Sequence, residues 1–306
     1  MDVHGRDLRY FVTVAEELHF TRAAELLYVS QPALSKQIRA LERQLGVPLF
    51  DRDRHGARLT PAGAALLPHA RRVLAEWDAA SEAVESAKRR QRATLVVGMS
   101  HSPARGGLRP AIRSRFTEAC PAAEVRMRQV RWEDPTAGLA DGSSDVAFVW
   151  LPLADAERYR WVVLATEARQ VALPEDHPLA ARERIAFADL LDEPFLALPP
   201  EAAELRDYWL ALDERGGRPA KIGAEIASVD ETYEALVDGR GVCLVASGNV
   251  PLVARGGVVT RPVDGVTPSR FALAWRADDT GPLVRAYAEA ARLAVAGPEA
   301  ASVARA

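Results

Sequence analysis

The sequence predicts an α/β protein that carries an all-α type head at its N-terminus. Apolar residues recur at helical spacing through residues 5–45, strong helix formers fill residues 62–92, and short apolar strands alternate with helices in the rest. The chain has 306 residues, 48% of them hydrophobic and 26% charged. This is the balance of an ordinary globular protein that is longer than one average domain, so we expect at least two folded units.

Three short helices are predicted first. Residues 5–18 are amphipathic, and Thr21 is expected to cap a second, short helix whose apolar side includes Tyr28. Ser30 is expected to cap a third helix that ends at Gly46. The buried stripe of this third helix consists of Leu34, Ile38, Leu41 and Leu45.

The opposite face of the third helix carries residues that can read base edges. These residues are Gln31, Pro32, Ser35, Lys36 and Arg39. Two short helices with a tight connection, the second presenting such side chains, make a helix-turn-helix whose second helix enters the major groove. There glutamine pairs with adenine, lysine or arginine with guanine, and serine with either. A small helical bundle with a solvated face is the alternative, because periodicity does not separate the two.

A basic hairpin is predicted directly after the third helix. Residues 49–60 have apolar ends around a His-Gly turn, and three arginines cluster near the tip: Arg52, Arg54 and Arg58. Arginines in such a wing suit a narrow minor groove or phosphates. The alternative is a loop that only adds solubility.

Charge is unevenly distributed along the chain. The formal net charge is −3 and by itself argues against a nucleic-acid binder. Residues 1–92, however, hold 15 basic and 12 acidic side chains, whereas the remainder holds 24 and 30. A basic N-terminal module on an acidic body is the asymmetry expected when one end meets phosphate, with a solvated charged surface as the alternative.

The ordered motifs of residues 6–63 resemble the N-terminal winged helix-turn-helix of LysR-type transcriptional regulators. The resemblance rests on the segments 20–25 (FTRAAE), 29–38 (VSQPALSKQI), 41–42 (LE), 45–46 (LG), 49–50 (LF) and 59–63 (LTPAG). It implies a DNA-binding domain over residues 1–63 that binds double-stranded DNA at promoter inverted repeats. The residues expected at the DNA are Thr21, Ser30, Gln31, Pro32, Ser35, Lys36, Arg39, Arg52, Arg54, Arg58 and Thr60.

One long helix is predicted after the Thr60-Pro61 start. Its apolar residues alternate at steps of four and three, which is typical of a coiled-coil pair. The seam expected to dimerise consists of Leu66, Val73, Trp77 and Val84. The family has a linker helix here, over residues 64–92 of this chain, and the resemblance implies a homodimer or homotetramer. A helix packed against its own chain is the alternative.

The remaining residues, 93–306, predict an α/β body with mainly parallel sheets. Among its helices we expect one that opens at residues 100–103, a short one that ends at residues 139–145, and one over residues 202–216. The resemblance implies two lobes of the periplasmic-binding-protein type. Lobe 1 is expected over about 93–163 and 268–306, and lobe 2 over about 164–267.

A small-molecule effector is expected between the two lobes, because open α/β sheets bind ligands at the carboxyl ends of their strands. Ser100 and Ser102 follow the first strand and could hold a ligand carboxylate, or could only cap the next helix. The turn at residues 131–135 departs from the family pattern, which puts the usual effector chemistry in doubt. The other candidates are Trp132, Trp150, Pro199, Ser228, Val229 and Ala246.

The sequence shows no pattern typical of catalysis, a metal site or a cofactor. The six histidines and two cysteines lack metal-ligand spacing, and neither a nucleophile elbow nor a phosphate loop is present. Cys120 and Cys243 lie far apart in the chain, and Cys243 falls in an apolar strand where a thiol is usually inert. The N-terminus lacks a signal peptide and no apolar run could span a membrane, so we expect a cytoplasmic protein.

These observations predict a LysR-type transcriptional regulator that is not an enzyme. It is expected to bind double-stranded DNA and to respond to a small-molecule effector. The alternative is a soluble solute-binding protein with an unrelated helical N-terminus.

Overall fold

The computed structural model describes four stretches of the chain, residues 3–53, 56–91, 93–101 and 107–296. The chain divides into two compact units between Glu85 and Ser86. The first unit holds helices α1 (Gly5–Glu17), α2 (Phe20–Leu26) and α3 (Gln31–Leu45), strands β1 (Phe50–Asp53) and β2 (Gly56–Leu59), and most of helix α4 (Pro61–Gln91).

Helix α2 is capped by a histidine and not, as predicted, by Thr21. The Nδ1 atom of His19 accepts the backbone N–H groups of Thr21 at 3.2 Å and Arg22 at 3.4 Å. The helix starts one residue before the predicted cap, so the side chain that satisfies its first free N–H groups belongs to His19.

The predicted start and end of α3 are confirmed. The hydroxyl of Ser30 accepts the N–H of Ala33, and Gly46 ends the helix with a φ of 71°, a left-handed conformation that glycine adopts without strain. Leu34, Ile38 and Leu41 are buried as predicted, and Leu45 packs at the edge of the same cluster.

The core of the first unit joins all its elements. Phe11 of α1 lies 5.5 Å from the ring of Phe50, which opens the antiparallel hairpin β1–β2. Ala70 of α4 is fully buried in the same cluster. The hairpin and the start of α4 are therefore held against the three short helices.

The predicted seam of α4 splits into two parts. Leu66 is half-buried against the core of its own unit, so packing within the chain accounts for it. Val73, Trp77 and Val84 are exposed, and 67% of the surface of Trp77 is open to solvent. These three residues, which we name the exposed seam, form an apolar stripe that no described residue of this chain covers.

The second unit, apart from its first residues at the end of α4, is the predicted α/β body. Its strands and helices follow in the order β3 (Thr94–Met99), α5 (Leu108–Ala119), β4 (Glu124–Gln129), β5 (Val146–Leu151), β6 (Tyr159–Glu167), β7 (Arg169–Pro174), β8 (Ile185–Ala186), β9 (Pro194–Ala197), α6 (Ala203–Trp209), β10 (Lys221–Glu225), α7 (Val229–Val237), β11 (Cys243–Ala246), α8 (Val250–Val253), β12 (Val258–Asp264), β13 (Ser269–Arg276) and α9 (Pro282–Ala296).

The strands form two separate lobes. Lobe 1 has a sheet with the order β4-β3-β5-β13-β6, and lobe 2 has the sheet β11-β7-β12-β8 beside the pair β9–β10. The sheets are mixed and not mainly parallel: β3 pairs in parallel with β4 and β5, while β13 runs antiparallel to β5 and β6, and β7 runs antiparallel to β11 and β12. The chain crosses between lobes at β6–β7 and at β12–β13.

Three helix predictions in the body are wrong. Residues 130–145 contain turns and no helix, because the Asp134 carboxylate accepts N–H groups of the following turn. The helix predicted over residues 202–216 ends at Trp209 and continues only as a short turn. Helix α5 starts at Leu108 behind Gly107, so Ser100 does not cap it.

A buried arginine lies where the chain crosses between lobes. Arg169 opens β7, and its Nε donates to the Thr267 carbonyl at 2.7 Å, while Nη1 donates to the Tyr208 carbonyl at 2.8 Å. Its Nη2 pairs with the Glu214 carboxylate. Thr267 stands between β12 and β13, so one guanidinium joins both crossings and the end of α6.

Within the described stretches, no helix is both long and apolar enough to cross a bilayer.

Candidate nucleic-acid interface and ligand cleft

The first half of α3 presents a compact polar surface. Gln31, Pro32, Lys36 and Arg39 are all exposed there, and we name these four residues the reading face. Neither Lys36 nor Arg39 forms an ion pair with any residue that the structure describes. Their charges are therefore available to a partner.

Three arginines on the other helices of this unit form ion pairs with described carboxylates: Arg9, Arg22 and Arg71. Arg71 of α4 lies 2.9 Å from the Glu16 carboxylate, and Arg22 of α2 lies 3.4 Å from that of Glu17. The contrast with α3 matters because unpaired cations on one helix face attract phosphate more strongly than cations that already have a partner.

Two residues predicted at the DNA are buried instead. Ser35 is 8% exposed and lies beside Leu34 in the packed stripe of α3. Thr60 is 7% exposed; its hydroxyl donates to the Pro48 carbonyl at 2.8 Å and accepts the N–H of Gly63 at 3.1 Å. Thr60 caps α4 and joins it to the hairpin.

The wing is described only in part. Strands β1 and β2 pair antiparallel from Phe50 opposite Leu59 to Asp53 opposite Gly56, as the sequence predicts. Arg58 is exposed on β2. Arg54 and the side chain of Arg52 lie outside the described residues.

Tyr28 is an exposed residue that the sequence reasoning placed on an apolar side. It stands between α2 and α3, has a φ of 54° and is 95% exposed. This large aromatic side chain lies in the tight connection just before Ser30 and the reading face in the chain. Its position in the connection between two short helices is the signal that could have identified it as an exposed residue and not an apolar-side residue.

The second unit contains a cleft between its two lobes. The cavity volume of the cleft is about 110 Å³. Lobe 1 contributes the ends of β3 and β5 and the turn after β4, whereas lobe 2 contributes α6, the start of α7 and β11. Most of its lining side chains are aliphatic or aromatic, which is usual for small-molecule sites.

Four of the predicted effector residues line this cleft: Ser100, Trp132, Trp150 and Val229. The other described candidates do not. Pro199 and Ala246 are buried in packing, and Ser228 caps α7 by accepting the N–H of Glu231. Ser102 lies outside the described residues.

A polar row crosses the cleft from one lobe to the other. Ser100 Oγ lies 3.2 Å from His101 Nδ1, and His101 Nε2 lies 3.1 Å from Asn249 Nδ2. Sequence reasoning missed His101 and Asn249, although His101 adjoins Ser100 and Asn249 follows strand β11. Their positions just after strands were the signal that could have identified them as ligand-site candidates.

Aromatic side chains form much of the cleft wall. Trp132 lies edge-on to His101 at 6.2 Å, and Trp209 lies edge-on to Trp150 at 5.5 Å. Trp150 is only 5% exposed, whereas Trp132 and Trp209 are half-buried and line the cavity. Trp209 was not predicted, because its position in a presumed long helix carried no signal of a site.

One carboxylate, that of Asp134, lines the cleft, but its oxygens already accept hydrogen bonds from the chain. Asp134 accepts the N–H and hydroxyl of Thr136 at 2.9 and 2.6 Å, and the N–H of Gly138 at 2.7 Å. Among the described residues no group of three or more His, Cys, Asp or Glu side chains could hold a metal ion. Asp134 therefore organises its own turn.

The cleft also includes a buried thiol. Burial raises the pKa of Cys243 to about 12, so the group is protonated at neutral pH. A protonated thiol is a poor nucleophile, in agreement with the predicted inertness of Cys243. Neither Cys120 nor Cys243 forms a disulfide.

Two family profiles match the chain. The profile described as "Bacterial regulatory helix-turn-helix protein, lysR family" matches residues 6–64, and the one described as "LysR substrate binding domain" matches residues 88–296. The first match contains the reading face and the hairpin. The second contains the whole ligand cleft.

Individual relatives resemble the chain over nearly its full length. The HTH-type transcriptional regulator BudR of Raoultella terrigena is 31% identical over 286 residues, which are 93% of this chain and 98% of BudR. The hydrogen peroxide-inducible genes activator of Dickeya chrysanthemi is 33% identical, with 89% of this chain and 88% of the activator covered. The structure of a hydrogen peroxide-bound mutant of Corynebacterium glutamicum OxyR superposes with a TM-score of 0.54 at 30% identity, covering 99% of this chain and 95% of OxyR.

Proposed function

This chain belongs to the LysR family of bacterial transcriptional regulators. From that premise we propose which of its residues bind DNA, join subunits and bind the effector. Members of the family bind DNA and small-molecule effectors, and the chain is a DNA-binding transcriptional regulator with an effector-binding domain. We propose that residues 1–63 bind DNA, residues 64–92 join subunits, and residues 93–306 bind the effector.

The reading face makes the base contacts. Its exposed Gln31, Lys36 and Arg39 suit adenine and guanine edges in the major groove, and Pro32 lies among them. The observation that carries this proposal is the absence of ion pairs for Lys36 and Arg39 within the described residues.

Residues beside the reading face contact the DNA backbone. Ser30 directly precedes the reading face and is exposed, Thr21 is exposed on α2, and Arg58 is exposed on the hairpin. Arg52 and Arg54 belong to the same proposal on the strength of the sequence alone. Arginines of a wing bind phosphates or a narrow minor groove, so these contacts position the protein without choosing a base.

The exposed seam pairs two subunits. Val73, Trp77 and Val84 recur at coiled-coil spacing and are open to solvent in the single chain. A twofold pair presents two reading faces to two half-sites, which fits binding at an interrupted inverted repeat. We propose a homodimer that can assemble further into a homotetramer.

A small molecule in the cleft changes the output of the regulator. The ligand shifts the equilibrium only if it binds two arrangements of the subunits with different affinity. The relatives are regulators, and we propose that this chain likewise has no enzymatic activity and works in the cytoplasm on chromosomal DNA.

Peroxide sensing through the buried thiol is disfavoured, although one relative is named for induction by hydrogen peroxide. Oxidation proceeds through the thiolate, and the raised pKa of Cys243 keeps that form scarce at neutral pH. This favours a bound effector as the signal.

A gel shift tests the proposed DNA binding. The full chain is titrated onto DNA from upstream of its own gene and onto random DNA of equal length, at physiological salt. We expect the upstream DNA to bind tighter by about a thousandfold or more. If a folded chain retards neither DNA, the proposal is wrong and the solute-binding alternative gains support.

A further inference from the structure

We infer that the effector of this chain is a neutral aromatic molecule that presents one hydrogen-bond acceptor to Ser100. This inference rests on the proposed function, because it names the ligand class of the cleft to which that function assigns the effector. It follows from the wall of the cleft, from the direction of its polar row and from the charges around it.

The wall favours a planar apolar ring. Trp132 comes from lobe 1 and Trp209 from lobe 2, so half-buried indoles of both lobes line the same cavity. Trp150 packs edge-on against Trp209 at 83°, which holds that indole in place. Aromatic rings gain from such edge and offset contacts beyond the burial of area, so an aromatic ligand fits this wall better than an aliphatic one.

The polar row fixes which hydrogen bond is left for a ligand. The amide nitrogen of Asn249 has only hydrogens to offer, so it donates to His101 Nε2. With Nε2 accepting, Nδ1 carries the ring hydrogen and donates it to Ser100 Oγ. Ser100 keeps its own hydroxyl hydrogen, which is available to an acceptor such as a carbonyl or ether oxygen.

The described charges disfavour an anion. The charged side chain among the described lining residues is Asp134, a carboxylate, and the described lining offers neither lysine nor arginine. Against the described lining, a carboxylate ligand would lose its hydration and gain only neutral donors, which is costly.

A cationic ligand is disfavoured as well. Aromatic walls can bind quaternary ammonium groups, and a free carboxylate would strengthen that binding. The Asp134 carboxylate, however, already accepts three hydrogen bonds from Thr136 and Gly138. Its oxygens are committed to the turn, which leaves a neutral ligand as the best match.

Four small probes separate the possibilities. Acetophenone carries a ring and one neutral acceptor, ethylbenzene lacks the acceptor, benzoate is the anionic counterpart, and phenyltrimethylammonium is the cationic one. Dissociation constants are measured by saturation-transfer NMR titration of the full chain at pH 7. We expect acetophenone to bind at least tenfold tighter than benzoate and phenyltrimethylammonium.

Two variants test the residues. Ser100→Ala should weaken acetophenone about five- to tenfold and leave ethylbenzene unchanged, because one neutral hydrogen bond is lost. Ser114→Ala, on the exposed surface of α5, is its matched control and should change neither. Trp209→Leu should weaken both probes, whereas Trp161→Leu, on β6 away from the cleft lining, should weaken neither.

Several results would overturn the inference. These are benzoate or phenyltrimethylammonium binding as tightly as acetophenone, no binding by any probe, or equal losses of both neutral probes in Ser100→Ala. The titrations report on the cleft, whereas the gel shift with upstream DNA reports on the reading face. A wrong ligand class and a wrong proposed function therefore give different results.

Discussion

Replacing Arg169 with methionine tests whether the junction of the two lobes depends on one buried guanidinium. The Arg169 side chain is 0% exposed and donates to two backbone carbonyls, to Thr267 Oγ1 and to the Glu214 carboxylate. Methionine has a similar length and apolar stem but none of the donors. The substitution therefore isolates the hydrogen bonds and the charge from the packing.

The expected loss of stability is about 3 kcal/mol. Removing one partner of a buried ion pair costs about 3–5 kcal/mol, because the other charge is left without compensation. The lower end applies here, since the Glu214 carboxylate still accepts the N–H and hydroxyl of Thr267, both at 2.9 Å. For a unit of this size each kcal/mol lowers Tm by about 2–4 °C, so the midpoint should fall by about 6–12 °C.

Thermal unfolding of the full chain, followed by tryptophan fluorescence, measures this loss. Arg184→Met is the matched control, because the Arg184 side chain is 60% exposed and its partner Asp264 is equally exposed. Such a surface pair contributes less than about 1 kcal/mol. Equal shifts in the two variants would refute the assigned role of Arg169.

The effect of Arg169→Met should also depend on pH. Burial raises the pKa of Glu214, but hydrogen bonds from Thr267 and the charge of Arg169 outweigh it and hold the pKa below its ordinary value of 4.5. A lowered carboxyl pKa stabilises the fold above pH 4.5, and this contribution is lost as the pH falls through the lowered value. The difference in Tm between wild type and variant should therefore shrink in acid. A constant difference from pH 7 to pH 3 would contradict this linkage.

Three further predictions concern DNA and assembly. Gln31→Ala should weaken binding to the preferred DNA by about 1–3 kcal/mol and binding to random DNA only slightly, because one base contact is lost. Competition gel shifts measure both affinities, and equal losses on the two DNAs would contradict the base contact. Arg58→Ala should lower the salt slope of DNA binding by about 1 in a salt titration, and an unchanged slope would count against a phosphate contact. Trp77→Asp should reduce the mass of the oligomer measured by sedimentation, whereas Trp161→Asp should not. An unchanged oligomer in Trp77→Asp would exclude the exposed seam as the subunit interface.

The head was predictable from sequence because short-range patterns fix most of its structure. The cap at Ser30, the end at Gly46 and the apolar stripe of α3 are all local signals. The burial of Ser35 and Thr60 was not predictable from these local signals, because tertiary packing decides it. Ser35 is buried because the face of α3 that packs on the core includes this position beside its aliphatic residues. Thr60 is buried because its hydroxyl donates to the Pro48 carbonyl.

The cleft was predictable only in outline. Ser100 and Trp132 stand at strand ends, where ligand sites of α/β folds occur, and a local pattern marks such positions. Trp209 and Asn249 reach the same cavity from distant parts of the chain. No local pattern brings them together, because pairing of distant strands sets where each segment lies.

In vitro selection tests the central claim most directly. The full chain is mixed with a pool of random duplex DNA at physiological salt, and the bound fraction is amplified and sequenced over several rounds. We expect enrichment of an interrupted inverted repeat, with half-sites separated by whole turns of about 10 base pairs, because paired subunits present two reading faces. A folded chain that enriches no sequence, or only a single half-site without symmetry, would contradict it.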